Sequence, residues 1–296
     1  MNAFTAQASA PDQPAPRCAP GALSTVTAVA GRALRDAVRS RWFILYTLAF
    51  AALGLAVSFV SAAGAGGAGL SGFGRTTAGL INLVLLVVPL MALTAGAASI
   101  AGDRERGMLA YLLAQPVRRC EVLLGVYAAL AGALVASVCL GLGVCGAILA
   151  ARGLRTGAGS MLWLAGLSIA LALGMLSVGM LISVLARRAS VAVGTAVFTW
   201  LLLVFVSDLA LMAGAVAMRL RIQELLTLAL LNPLQVFKMW SLHAVDASLD
   251  VLGPAGLYAM DTWGPWLHAV FGGCMLAWIV LPLVAAGLFF SRRSPL

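Results

Sequence analysis

Six long, continuous runs of apolar residues constrain this chain more than any other feature of its sequence. A helix needs about 20 apolar residues to cross the hydrocarbon of a bilayer, whereas the strands of a membrane barrel alternate polar and apolar residues over about 10 positions. The runs therefore predict an all-α, polytopic membrane protein with six transmembrane helices. They cover residues 42–63, 80–101, 122–151, 161–185, 189–218 and 266–290.

The composition of the chain supports a membrane protein and excludes a separate soluble domain. Of its 296 residues, 62% are hydrophobic and only 10% are charged. Six spans and their connections leave too few residues for an independent soluble core. The formal net charge of +9 indicates membrane topology and lipid contact, so we expect membrane lipids and no nucleic acid among the partners.

The basic residues are distributed unevenly between the loops, and this predicts the orientation. Thirteen of the 19 lie in the N-terminal segment, after the second and fourth runs and after the sixth run. Because basic residues favour the cytoplasmic side, both termini are predicted to be cytoplasmic and residues 219–265 to form an outer loop. Residues 1–30, rich in Ala and Pro, are expected to be a disordered cytoplasmic tail, and residues 31–296 the membrane domain.

Residue patterns typical of enzymes and metal sites do not occur in this sequence. Lys238 is the only lysine and follows Phe237, so the Gly-Lys pair of a nucleotide-binding P-loop is missing. His243 and His268 are not at a metal-ligand spacing, and the five cysteines contain no CxxC motif. We therefore expect no catalytic residue, no metal site and no cofactor bound by this chain.

The most charge-dense stretch joins the second and third runs, at residues 102–121. Its charged residues form a polar helix start, its apolar residues share one face, and a proline stops the helix. The spacing predicts a short amphipathic cytoplasmic helix, which is either a docking ridge for a cytoplasmic partner or a connector lying on the membrane surface. The residues concerned are Asp103, Arg104, Glu105, Arg106, Gly107, Met108, Leu109, Leu112, Leu113 and Pro116.

Small residues recur at every fourth position in two of the runs, which lets helix backbones approach closely. We expect these rows to pack within the bundle or, alternatively, between subunits. They are Gly125, Ala129, Ala133, Ser137, Gly141 and Cys145 in the third run, and Gly166, Ala170 and Gly174 in the fourth.

Two further features lie on the predicted outer half. Asp208 is the only strongly ionisable residue inside a run, so it is expected to face protein or water, as a structural hydrogen-bonding group or as a proton carrier. In the outer loop, an apolar segment is broken at Asn232-Pro233 and is too short on either side to cross the bilayer. It is expected to lie along the outer interface, with Trp240 in the aromatic belt, and to pack there or bind a partner.

Residues 102–125 resemble the signature of the type-2 permeases of ABC transporters, with DRERGML, YLLAQP and RRCEVLLGV as its parts. Within that family the chain is similar to the permeases associated with maturation of nitrous oxide reductase, on VSDLALMAG at 206–214, LLNPLQVFKMWSL at 230–242 and the large outer loop. Met108 stands where the signature usually has Thr, and Val126 stands where it usually has Lys.

The resemblance implies a function and a set of partners. Two copies of the chain would pair as a homodimer in the bacterial inner membrane, each docking a NosF-type cytoplasmic ATPase through residues 103–116, and the outer face would meet a NosD-type periplasmic protein. ATP and Mg²⁺ would bind the ATPase, and the machine would deliver copper or a sulfur species to the reductase. The alternatives are a general exporter of a lipid, drug or polysaccharide, a non-transporting membrane anchor, and a proton-coupled transporter that uses Asp208.

Overall fold

A computed structural model describes residues 41–64, 70–109, 119–151, 158–206, 222–244 and 264–292, together with the single residues 31, 35, 209 and 213. This part of the chain contains helices and no strand, which confirms the all-α prediction. The helices are α1 (Arg41–Gly64), α2 (Leu70–Glu105), α3 (Arg119–Ala151), α4 (Ala158–Leu185), α5 (Ala189–Leu201), α6 (Ile222–Leu230), α7 (Pro233–Ala244) and α8 (Leu267–Arg292).

Five helical segments are long and apolar enough to cross a membrane. They are Ala78–Glu105 of α2, Arg119–Ala147 of α3, Gly159–Leu185 of α4, Ala189–Val206 of α5 with its continuation, and Leu267–Arg292 of α8. The first predicted span coincides with α1, whose 24 residues measure about 36 Å at 1.5 Å per residue. Helices α6 and α7 are bent by 106° and would count as one further span only if they formed a single broken helix.

Helix α4 is the centre of the bundle. It packs against α2, α3, α5, α7 and α8, while α1 lies against α2 and α3. Serine hydroxyls buried on α4 are satisfied locally, as where Ser168 donates to the carbonyl oxygen of Leu164. The outer surfaces of α5 and α8 carry exposed large apolar side chains such as Phe198 and Leu281, which is the arrangement expected where lipid replaces water.

The backbones of α2 and α4 touch where two glycines face each other. A Cβ atom on Gly179 would lie 2.5 Å from the carbonyl oxygen of Leu93, and one on Gly96 would lie 2.9 Å from that of Leu176. The contact is extended by the backbone N–H of Ala101, which donates to Ser183 Oγ at 2.9 Å. Only residues without a side chain permit this approach, so the crossing depends on both glycines.

The small residues predicted to form a ridge on the third span do pack inside the bundle. All six are buried on α3. The Thr47 and Ser137 hydroxyls are 2.8 Å apart, and a Cβ on Gly141 would overlap the ring of Phe50 on α1. On the fourth span the prediction was less accurate: a Cβ on Gly174 would be in ordinary contact with Trp278 on α8, but one on Gly166 would meet nothing within 4 Å, and the tight crossing is at Gly179.

The bundle has two chemically distinct ends. We call one the charged end, formed by residues 102–109 and 186–189 with Arg119 and Arg292. The guanidinium of Arg119 lies 3.4 Å from the carbonyl oxygens of Phe290 and Ser291 there. We call the opposite end the tryptophan end. It carries Trp163, Trp240 and Trp266 around the first turn of α8, where His268 lies.

Candidate functional site

The residues predicted to start a cytoplasmic helix instead complete α2. The helix continues through Glu105, and the chain leaves it at Gly107, whose φ of 69° is the left-handed conformation that glycine adopts readily. The backbone N–H of Gly107 donates to the carbonyl oxygen of Arg104 at 3.1 Å. The interpretation of 103–106 as a helix start is therefore wrong, because the glycine that ends α2 lies after the charges.

Two of these charged side chains hold the turn between α4 and α5. The guanidinium of Arg104 donates to the carbonyl oxygen of Ala186, at the end of α4. The carboxylate of Glu105 accepts a hydrogen bond of 2.9 Å from the backbone N–H of Ala189, the first residue of α5. A cation at a helix C-terminus and an anion at a helix N-terminus both complement the helix dipoles. We call this pair of contacts the α2 clamp.

Of the two remaining charged residues of this segment, Arg106 faces solvent and Asp103 is partly buried. Arg106 pairs with Asp103 at 3.0 Å, and its side chain is 72% exposed. Met108 is also exposed, whereas Leu109 is buried. The charged end thus presents a cationic side chain and an apolar one outward, next to the exposed Arg187 and Arg188. The predicted residues Leu112, Leu113 and Pro116 lie outside the described residues.

The predicted break at Asn232-Pro233 is the N-terminus of α7. The Asn232 side chain accepts a hydrogen bond from the N–H of Leu234 at 2.9 Å, and Pro233 occupies the first helical position, where its missing N–H has no cost. The Asn232 amide also donates to the carbonyl oxygen of Leu203 at 2.7 Å. Leu203 lies in a π-helical turn, Leu202–Val206, that follows α5.

The sequence predicts that the apolar segment around Asn232-Pro233 lies along the outer interface. Helix α6, which precedes this break, buries Leu225 and Leu226 and exposes Gln223 and Glu224, so one of its faces is apolar and the other polar. Helix α7 differs, because it packs between α4, α8 and α2 and buries most of its residues. The sequence feature that indicates burial of α7 is the absence of charged residues from Asn232 to Phe237.

Two histidines that are distant in the sequence lie next to each other in the structure. The rings of His243 and His268 have centroids 4.8 Å apart, and the indole N–H of Trp240 donates to His268 Nδ1 at 3.0 Å. The ring of Trp163 stacks on His268, with centroids 6.3 Å apart. Among the described residues no group of three or more His, Cys, Asp or Glu side chains is placed to hold a metal ion. Asp208 lies outside the described residues.

The described part of the fold, with its apolar spans and a charged segment closing α2, is that of a multi-pass membrane protein. The chain belongs to the ABC-2 family of transporter proteins, whose pattern matches residues 27–294. It is accordingly a multi-pass protein of the bacterial inner membrane and the permease part of a transporter.

Two curated relatives cover almost the whole chain. A protein of Stutzerimonas stutzeri named "Probable ABC transporter permease protein NosY" is 31% identical over 277 residues, which are 92% of this chain and 99% of the relative. A protein of the same name from Pseudomonas aeruginosa is 30% identical over 285 residues, which are 93% of this chain and 100% of the relative. The chain is thus similar to these two NosY permeases over more than nine-tenths of its length.

Proposed function

We propose that this chain is the membrane subunit of an ABC machine that supports maturation of the copper sites of nitrous oxide reductase. Two copies pair, and each binds a NosF-type cytoplasmic ATPase that carries ATP and Mg²⁺. The opposite face of the pair meets a NosD-type periplasmic protein. Hydrolysis by the ATPase changes the conformation of the permease pair, and the machine delivers copper or a sulfur species on the periplasmic side.

The observation that carries this proposal is the full-length similarity to NosY permeases. The α2 clamp supports the coupling step, because the segment proposed to dock the ATPase is fastened to the turn that begins α5. A displacement of the docking segment is therefore transmitted directly to two membrane helices, α4 and α5. Arg106 and Met108 are exposed beside the clamp, and we propose that they contact the ATPase.

The docking step is tested by reversing the exposed charge beside the clamp. Arg106→Glu is expected to lower co-purification of the NosF-type ATPase by about fivefold, the factor for about 1 kcal/mol of lost contact energy. The copper content of nitrous oxide reductase from the same cells is expected to fall with it. Co-purification is measured on the detergent-extracted complex, and copper by elemental analysis of the purified reductase.

Arg292→Glu is the matched control, since Arg292 is also exposed but ends α8 rather than α2. It is expected to leave both readouts unchanged. Full ATPase binding by Arg106→Glu would contradict docking at this segment. Deletion of the whole chain with no effect on the copper content of the reductase would contradict the role in maturation and favour a general exporter.

A further inference from the structure

A cavity of about 160 Å³ lies between α2, the π-helical turn after α5, and α7. Its walls are mostly leucine and valine, and three side chains bring polar groups to it. The apolar lining is Leu85, Leu86, Leu203, Val204 and Leu234, and the polar lining is Asn82, Gln235 and Lys238. A cavity with an apolar wall and a few polar groups at one place is typical of a ligand site.

Lys238 gives this cavity a positive charge. It is the only lysine of the chain, and no carboxylate among the described residues forms an ion pair with it. A cation within a membrane protein is unfavourable unless it is hydrated or paired with an anion. The cavity therefore favours an anionic ligand.

The position of Lys238 on α7 indicates its depth in the membrane, and this depth determines which anions can reach it. It lies two residues before Trp240, or about 3 Å along the helix axis. Trp240 belongs to the tryptophan end, and tryptophans concentrate at the level of the lipid headgroups. The anion available at this level in any bacterial membrane is the phosphate of a phospholipid.

The cavity also opens toward the place where acyl chains lie. Asn82 and Leu86, one turn apart on α2, are both exposed on the surface of the bundle, and Leu86 is 50% exposed. A headgroup held at Lys238 would leave its acyl chains along this leucine-rich surface. The side chains of Asn82 and Gln235 can add hydrogen bonds to phosphate or glycerol oxygens.

The opposite wall of the cavity is backbone of unusual geometry. Leu203 and Val204 belong to the π-helical turn, whose carbonyl at Leu203 is held by Asn232. Single π-helical turns are rare and occur frequently at functional sites. This turn shapes the cavity, because it sets where α5 ends against α7.

We propose that the cavity formed by Asn82, Gln235 and Lys238 binds the phosphate of an anionic phospholipid, with the acyl chains along α2 and α5. Free inorganic phosphate offers the same oxyanion chemistry, so the test separates the two sources. The proposal does not rest on the role in reductase maturation.

The experiment uses the full chain with its ATPase in nanodiscs that contain a photoactivatable phosphatidylglycerol. Labelled peptides are expected to include residues 82–86 or 234–238. Lys238→Gln is expected to lower this labelling by about tenfold, the factor for loss of a hydrogen bond to a charged group. Lys238→Arg is expected to retain it, as is the control Arg292→Gln, which removes a cation at the other end.

Two further arms decide the chemistry of the ligand. A photoactivatable phosphatidylcholine is expected to label these peptides weakly, and millimolar inorganic phosphate is expected not to compete. Equal labelling by both lipids, or unchanged labelling in Lys238→Gln, would overturn the proposal. Competition by inorganic phosphate would overturn its lipid part. Leu86→Trp, which fills the opening without touching the charge, is expected to reduce labelling as well, and unreduced labelling would contradict the position of the acyl chains.

Discussion

The side chain of Asn232 forms two hydrogen bonds, each to a different segment of the chain. Its carbonyl oxygen caps α7 through Leu234, and its amide satisfies the carbonyl of Leu203, which belongs to a π-helical turn. A buried carbonyl without a partner costs about 1–3 kcal/mol, and loss of an N-cap costs about 1 kcal/mol. One amide group therefore links the π-helical turn after α5 to the start of α7.

Replacement of this amide gives a stability prediction at the residue scale. Asn232→Ala is expected to lower the free energy of unfolding by about 2 kcal/mol or more, since both hydrogen bonds are lost. The measurement is thermal unfolding of the detergent-purified chain. Thr195→Val is the control, because the exposed Thr195 hydroxyl donates only to the carbonyl of Val191 in its own helix. Equal melting temperatures for wild type and Asn232→Ala would contradict the double role.

Only one of the two roles of Asn232, the start of α7, was predictable from the sequence. Asn followed by Pro is the combination that starts a helix, so a break at 232–233 was predictable from local chemistry. The bond to Leu203 was not, because it spans 29 positions and depends on a π-helical turn without a known sequence signature. The same holds for Glu105, whose partner is a backbone N–H 84 positions away.

At the scale of elements, the crossing of α2 and α4 is the closest approach of one helix backbone to another that the glycines report. Its geometry comes from Gly96 and Gly179, which bring backbone against backbone. Rotation of a side chain cannot relieve an overlap with a carbonyl oxygen. Any added carbon atom must therefore move one of the two helices.

Gly179→Ala is accordingly expected to destabilise the chain by about 3 kcal/mol, the upper end of the range for overpacked cores. Gly166→Ala on the same helix is the matched control, because a Cβ there meets nothing within 4 Å. Its replacement is expected to be neutral or slightly stabilising, as alanine favours helix. Melting temperatures in detergent decide between the two, and a neutral Gly179→Ala would show that the helices are not in contact as described.

Small-residue spacing predicted the α3 ridge correctly and missed this crossing. The ridge of α3 repeats over six positions, and a pattern of that length marks a helix face without further information. The α2–α4 contact needs only one glycine on each helix. A single glycine in an apolar run is common in membrane helices, so the sequence could not distinguish Gly179 from Gly166.

At the scale of the whole molecule, the path of α6 and α7 decides the topology. With α1, α2, α3, α4, α5 and α8 as crossings the number is even, and both termini lie on one side of the membrane. If α6 and α7 formed a seventh crossing, the termini would lie on opposite sides. Helix α6 has nine residues, or about 13 Å, and the 106° bend keeps the pair from crossing as one helix.

Reporter fusions at the two termini test this parity. A green fluorescent protein fused to either end is expected to fluoresce, and alkaline phosphatase at either end is expected to be inactive, because the basic residues predict both termini in the cytoplasm. The same phosphatase inserted between α3 and α4 is the control and is expected to be active. Termini on opposite sides would show that α6 and α7 complete a crossing.

Hydropathy alone predicted most of the architecture, since each described membrane helix coincides with a predicted apolar run. It did not predict that α7 enters the bundle. An apolar segment of 12 residues has the same hydropathy whether it packs against lipid or against protein. Only its neighbours on α2, α4 and α8 distinguish the two.

The α2 clamp has a mechanical consequence. Helix α2 is hydrogen-bonded to Ala186 and Ala189 at the charged end and meets α4 again at Gly96 and Gly179, so we expect a displacement beside Arg106 to move α4 and the first turn of α5 together with α2. Regular α-helical hydrogen bonding is interrupted at Pro89 inside α2 and at the π-helical turn Leu202–Val206 after α5. These two places are where we expect the helices to bend.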